Sequence, residues 1–247
     1  MATADDFTDP YLHTYAPVPA AGPGVCGVCH SGPPAGQAVC HSCAVVMQQV
    51  SYPTPDIVPI SLYTLDSQFW HVLRYYKDGA GRATTLHALQ VAAVLARFAA
   101  RHLRCVAGRL GGDPAVVTSV PSTRPEPRCG RHPLETAIAR VGALAPRYAP
   151  LLRRGPASAD HNLADDDAFT PLRRLDGERV LVVDDTLTSG ARLQSAASAL
   201  RRGGASAVAA VVVGRVIYPD WNENCRRIWA RSRATPFTFD ECCLCRD

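Results

Sequence analysis

Apolar and polar positions change period several times along the chain. Residues 66–76 carry Phe69, Trp70, Leu73 and Tyr76 at helical spacing, which predicts a helix there. A longer helix is expected over 84–103, where Leu86, Leu89, Ala93 and Ala96 share one side, and another over 134–144. Short unbroken apolar runs at 115–120, 179–183 and 207–213 read as buried strands. Between the last two lies a helix over 191–202, stopped by Gly203-Gly204. Strands alternating with helices imply an α/β fold with a mostly parallel sheet flanked by helices on both faces. Residues 153–175, with Gly, Pro, Asn and a run of aspartates, read as a long loop.

The ends of the chain read differently. Residues 1–24 are rich in Pro, Ala and Gly without periodicity, which predicts a disordered leader. A compact Cys module occupies 25–50, and Pro53, Pro55 and Pro59 mark an extended linker after it. The α/β domain then runs over 60–218, followed by a Cys-containing tail over 219–247.

Composition adds limits. With 247 residues and 47% hydrophobic content, the chain is long enough for one large domain with its own core plus a small appendage. A net charge of +4 is far from that of a dedicated nucleic-acid binder and would not repel a phosphorylated substrate. Lys77 is the single lysine among 26 basic residues. No uninterrupted apolar stretch reaches the roughly 18–20 residues of a membrane helix, and Met1–Asp6 is acidic without an apolar signal core, so no membrane partner and a cytoplasmic location are expected.

The most informative segment is RVLVVDDTLTSGAR at 179–192. An apolar strand runs into Asp184 and Asp185, then a small hydroxyl- and Gly-rich turn, then a helix. The turn's N–H groups and the following helix N-terminus make an anion site. Thr188 and Ser189 add hydroxyl donors, and Gly190 permits close backbone approach. The two acids beside this cradle suit sugar hydroxyls, which need acceptors. Together they fit a ribose 5-phosphate. The alternative, a simple helix cap by Asp185 or Thr186, needs one such residue and not five.

Ten cysteines point to metal or thiol chemistry, with disulfides as the alternative. Cys26-x2-Cys29 and Cys40-x2-Cys43, ten residues apart, match a tetrahedral structural zinc (Zn2+) site. Near the end, Cys242-x2-Cys245 is one further knuckle, with Cys225 the candidate third ligand, adjacent Cys243 a poor partner and the fourth ligand open. Cys105 and Cys129 read as buried apolar residues.

VLVVDDTLTSG resembles the phosphoribosyl-pyrophosphate (PRPP) motif of type I phosphoribosyltransferases. The order of a Cys module, RYYKDG, VPSTRPEPRCGRHP and this loop is similar to the ComF-type, competence-associated members of that family. The resemblance implies that Asp184 and Asp185 are the catalytic acids holding the ribose 2- and 3-hydroxyls. It implies that Thr186, Leu187, Thr188, Ser189, Gly190 and Ala191 bind the 5-phosphate, with Arg192 where Thr is common. Lys77, Ser122, Thr123 and Arg124 are implied at the pyrophosphate, with Arg128 and Arg131 as further candidates. The implied reaction moves the phosphoribosyl group from PRPP, with Mg2+, to a base and releases pyrophosphate. The alternative is a non-catalytic PRPP or nucleotide binder of ComF type, acting in DNA uptake or touching nucleic acid or protein through its zinc module. Acceptor base and oligomeric state stay open.

Overall fold

The structure, a computed structural model, describes residues 2–77, 81–122 and 132–246. It is α/β, built on a four-stranded parallel sheet in the order β1-β6-β5-β2. The strands are β1 (Ile57–Tyr63), β2 (Val116–Ser119), β5 (Arg179–Leu187) and β6 (Ala207–Val216). Nearly every residue of these strands is buried, as expected for a parallel sheet covered on both faces.

Strand alternation sends side chains to two separate cores. On one face, Ile60, Leu62, Leu181, Val183, Val211 and Val213 pack under α2 (Gln68–Tyr75), α3 (Arg82–Leu110) and α4 (Pro133–Ile138). On the other, Val180, Val182, Val208, Ala210 and Val212 meet α5 (Ala191–Arg202) and the Cys segment, whose helix is α1 (His41–Gln48). The last helix, α6 (Glu223–Ala234), starts with Asn222 capping the Cys225 N–H. Among the described residues α3 alone has the length and mean hydropathy, 1.3, of a membrane span; in this fold twelve of its residues are buried, on the sheet and its neighbours.

Four expectations need correction. The linker read from Pro53, Pro55 and Pro59 contains β1, and Pro59 sits inside it, paired with Val212. A proline fits because β1 is an edge strand, where a missing N–H costs no ladder bond. The leader is not disordered. It forms a 3-10 turn (Asp9–Thr14), its Ala16 bridges Leu62 on the free edge of β1, and Tyr15 is buried edge-on against Phe69. The 153–175 loop holds an antiparallel pair, β3 (Leu152–Arg154) and β4 (Phe169–Pro171), packed on α5. Its acidic run is tied to the fold through Asp166, while Asp167 stays exposed. Asp166 accepts from Ser51 N at 3.0 Å and from Ser198 Oγ at 2.5 Å, and Arg202 pairs with Asp167 at 3.0 Å. Finally, the predicted 134–144 helix stops at Ile138 and continues as turns to Leu144.

Candidate functional site

β5 is longer than its apolar run. β6 continues beside it, with Asp184 opposite Val212 and Thr186 opposite Gly214, so both acids belong to the strand. Consecutive strand residues face opposite ways, and this divides the two carboxylates. Asp185, 3% exposed, turns to the α2 side, where its Oδ2 accepts from the Tyr76 hydroxyl at 2.6 Å and forms an ion pair with Lys77. Asp184 turns to the α5 side and lines an open cavity of about 230 Å³. Burial favours the neutral form of both acids, but the Lys77 charge and hydrogen bond hold Asp185 below the usual carboxylate value. Asp184, half-buried and next to the Asp185 charge, is pushed up to about 7 by desolvation and that charge, against the opposing pull of Arg192 and Lys77.

The cavity beside Asp184 is walled by Thr186, Leu187, Thr188, Ser189, Gly190 and Ala191, with Asp160 and His161 across from them. Gly190 caps α5 at φ 85°, a left-handed position that favours glycine. Its lack of a side chain leaves the first turn of α5 open to an anion. Ser189 Oγ accepts from Ala191 N at 3.4 Å and from Asn162 N at 3.1 Å, which ties the 153–175 segment to the loop. Asn162 Oδ1 is buried without a partner among the described residues. Arg192 reaches from α5 to the Pro121 carbonyl after β2, so it bridges the loops that follow β5 and β2.

A second cavity, of about 220 Å³, lies on the α2 side of the strand end. Tyr63, Trp70 and Tyr218 give it aromatic walls, Lys77 lies at it, and Thr186 and Thr188 belong to both cavities. Lys77 stands just beyond α2, 5.4 Å from the Tyr76 ring centroid. Ser122 follows β2, and its carbonyl accepts from Arg154 Nε at 2.8 Å. Thr123, Arg124, Arg128, Cys129 and Arg131 lie outside the described residues.

Cys26, Cys29, Cys40 and Cys43 converge, all buried, with their sulfurs within 4.8 Å of one another. Cys29 and Cys40 Sγ are 3.6 Å apart, and Cys40 N donates to Cys26 Sγ at 3.3 Å. Four thiols in this arrangement suit a tetrahedral metal such as zinc. The cluster is no separate appendage. Arg215, 5% exposed at the end of β6, donates to Cys29 Sγ at 3.4 Å and to the carbonyls of Leu187 at 3.1 Å, Thr188 at 2.7 Å and Val216 at 2.7 Å. One buried guanidinium therefore joins the cysteines to the anion loop. Gly32 allows the module to lie on α6; a Cβ there would come 2.3 Å from Cys225 N.

Cys225 is not a ligand in the C-terminal cluster. It sits at the start of α6, with Sγ 3.5 Å from the Gly32 carbonyl. Tyr76 and Arg215 were not read as site residues in the sequence, and Arg192 was read only as a replacement for a common Thr. Arg215 alone had a legible signal, a cation inside the run AVAAVVVGRV, where an unpaired charge would not be buried.

No protein-family model, curated protein or solved structure matches this chain.

Proposed function

We propose that the chain is a PRPP-dependent phosphoribosyltransferase of type I, ComF-like kind, with Asp184 and the Thr186–Ala191 loop as its phosphoribosyl site. One observation carries the reading. A carboxylate at the carboxyl end of a central parallel strand adjoins a glycine-capped helix N-terminus within a single cavity. The helix N–H groups suit the 5-phosphate, and the carboxylate suits ribose hydroxyls. The neighbouring cavity with Tyr63, Trp70 and Tyr218 suits a planar base, stacked or in edge contact. Lys77 lies at that cavity, where an ammonium meets the negative charge of departing pyrophosphate. Asp184 would share Mg2+ with PRPP, and the ion supplies neutralisation of the leaving group. Asp185 takes a supporting role, since its Oδ2 already meets Lys77 and the Tyr76 hydroxyl and its Oδ1 accepts from Thr186 Oγ1 at 3.3 Å.

The reaction breaks the bond from the ribose anomeric carbon to pyrophosphate and forms one to the acceptor nitrogen. Pyrophosphate leaves with the bonding electron pair, and the acceptor gives up its proton to solvent or a base. A pyrophosphate-release screen with PRPP, Mg2+ and a panel of bases tests this. Release with one base, lost in Asp184→Asn, is the expected result; PRPP that fails to bind overturns the reading.

A second reading, binding without turnover, draws on α6. That helix, joined to the Cys module through Asn224, exposes Arg226, Arg227, Arg231 and Arg233, a basic face that suits nucleic-acid phosphates. PRPP binding without pyrophosphate release from any base, together with salt-dependent binding of DNA, would favour it. The cytoplasm is the compartment proposed under either reading, because PRPP and reduced cysteines belong there.

A further inference from the structure

We propose that His102, Cys105, Cys242 and Cys245 form a second structural zinc site, which fastens the C-terminal segment to α3. The site is independent of the phosphoribosyl site and shares no residue with the N-terminal cysteines.

The two halves come from elements far apart in the chain. His102 and Cys105 are three residues apart on α3, so both face the same way. Cys242 and Cys245 form a short knuckle after α6, in which Cys245 N donates to the Cys242 carbonyl at 3.1 Å. The fold brings all four donor atoms within 4.8 Å of one another, the same closeness as in the N-terminal cluster.

The spacings are those of a tetrahedron around zinc. A Zn–S bond of about 2.3 Å and a Zn–N bond of about 2.0–2.1 Å give tetrahedral edges of about 3.8 Å between sulfurs and about 3.6 Å from sulfur to nitrogen. Cys242 and Cys245 Sγ are 3.5 Å apart, Cys245 Sγ lies 3.7 Å from His102 Nδ1, and Cys105 Sγ lies 3.8 Å from the same nitrogen. Cys242 N donates to Cys245 Sγ at 3.3 Å, a bond that favours a thiolate.

The second nitrogen of His102 supplies an independent argument. Nε2 lies 2.8 Å from the Phe239 carbonyl, which can only accept, so the proton belongs on Nε2. That leaves Nδ1 as a lone pair aimed at the sulfurs. A metal-bound histidine commonly has its other N–H held in this way. The ring is 3% exposed, so its orientation is set by packing as well. Three thiolates and an imidazole favour zinc over hard cations such as Mg2+. Four protein ligands leave no open position, so the role is structural.

The site would fasten a segment that packs into the aromatic core. Phe237 and Phe239, just ahead of the knuckle, pack edge-on against Tyr15 with centroids at 5.3 and 6.3 Å, and the Arg97 guanidinium lies 4.4 Å from the Phe239 ring centre. A metal holding Cys242 and Cys245 to α3 thus also holds the N-terminal leader in place.

The full-length protein, purified under reductant, should carry two zinc ions per chain by elemental analysis. His102→Ala and Cys245→Ser should each lower this to one, as should Cys29→Ser through the other site, whereas Cys225→Ser should keep two. Should variants fail to fold, the wild type still decides. Cys245 is exposed, so its alkylation by iodoacetamide should be at least tenfold slower in zinc-loaded protein than after chelation. One zinc per folded chain, two retained in His102→Ala, or an alkylation rate unaffected by chelator would each overturn the proposal.

Discussion

Replacing Arg215 with Met tests the link between the cysteine cluster and the anion loop. The thioether roughly fills the space of the arginine stem but removes every donor. Three carbonyl contacts, at Leu187, Thr188 and Val216, and the contact to Cys29 Sγ are lost together. Hydrogen bonds to a charged group contribute about 1.5–3 kcal/mol each, though not additively. Stranding one partner of a buried ionic pair costs about 3–5 kcal/mol. Here the stranded partner is a four-thiolate cluster that carries two net negative charges once it holds Zn2+. We therefore expect a loss of about 3–5 kcal/mol in urea unfolding at saturating zinc. Zinc affinity should fall about 10–100-fold, the usual effect of losing a group that supports a metal ligand. Arg215→Lys, which keeps the charge but not the planar fork, should lie between the two. A further consequence separates this mechanism from general destabilisation: PRPP affinity should weaken in Arg215→Met under conditions where the protein is still folded, because the Thr188 carbonyl is released. A stability loss below about 1 kcal/mol, the range of an exposed ion pair, with unchanged zinc and PRPP affinity would refute the reasoning.

Two further outcomes concern the carboxylates. Asp184 is pushed up to about 7 by burial and the Asp185 charge, so the folded state holds its proton where the unfolded chain has lost it. Its contribution to stability is then largest below the ordinary carboxylate value, falls as pH rises toward 7 and levels off above. Urea unfolding of the wild type and Asp184→Asn from pH 4.5 to 8 should show the wild type losing stability relative to the variant across that range, while PRPP affinity in the wild type rises as Asp184 ionises. A pH-independent difference would sink the assignment. Lys77→Arg places a broad guanidinium where the ammonium meets Asp185 beside Tyr76. PRPP affinity, read by titration calorimetry, should drop about 10–150-fold, on the order of the 1.5–3 kcal/mol of one charged hydrogen bond; equal affinities at equal thermal stability would return Lys77 to a purely structural role.

The local pattern of the chain determined a good deal by itself. Alternating apolar runs and helical periods announced a parallel α/β sheet, because strands buried on both faces must be continuously apolar. The turn of Thr188, Ser189 and Gly190 before α5 was legible for a similar reason: its chemistry is carried by backbone and neighbouring residues. The CxxC pairs were equally local. What tertiary structure alone decided was which distant groups meet. Pattern reading took Pro59 as a linker because proline breaks ladders, and only strand order showed it at an edge. It treated Asp184 and Asp185 as one pair, whereas strand alternation sends one to an open cavity and the other to Lys77 and Tyr76. It offered Cys225 to the C-terminal knuckle and set Cys105 aside, since spacing along the chain cannot show that α3 brings His102 and Cys105 to Cys242 and Cys245. It passed over Arg215, whose partners lie 28 and 186 residues away. Periodicity records which face of an element is buried; the partner of a buried charge or thiol depends on how separate elements pack, and that information is spread over the whole chain.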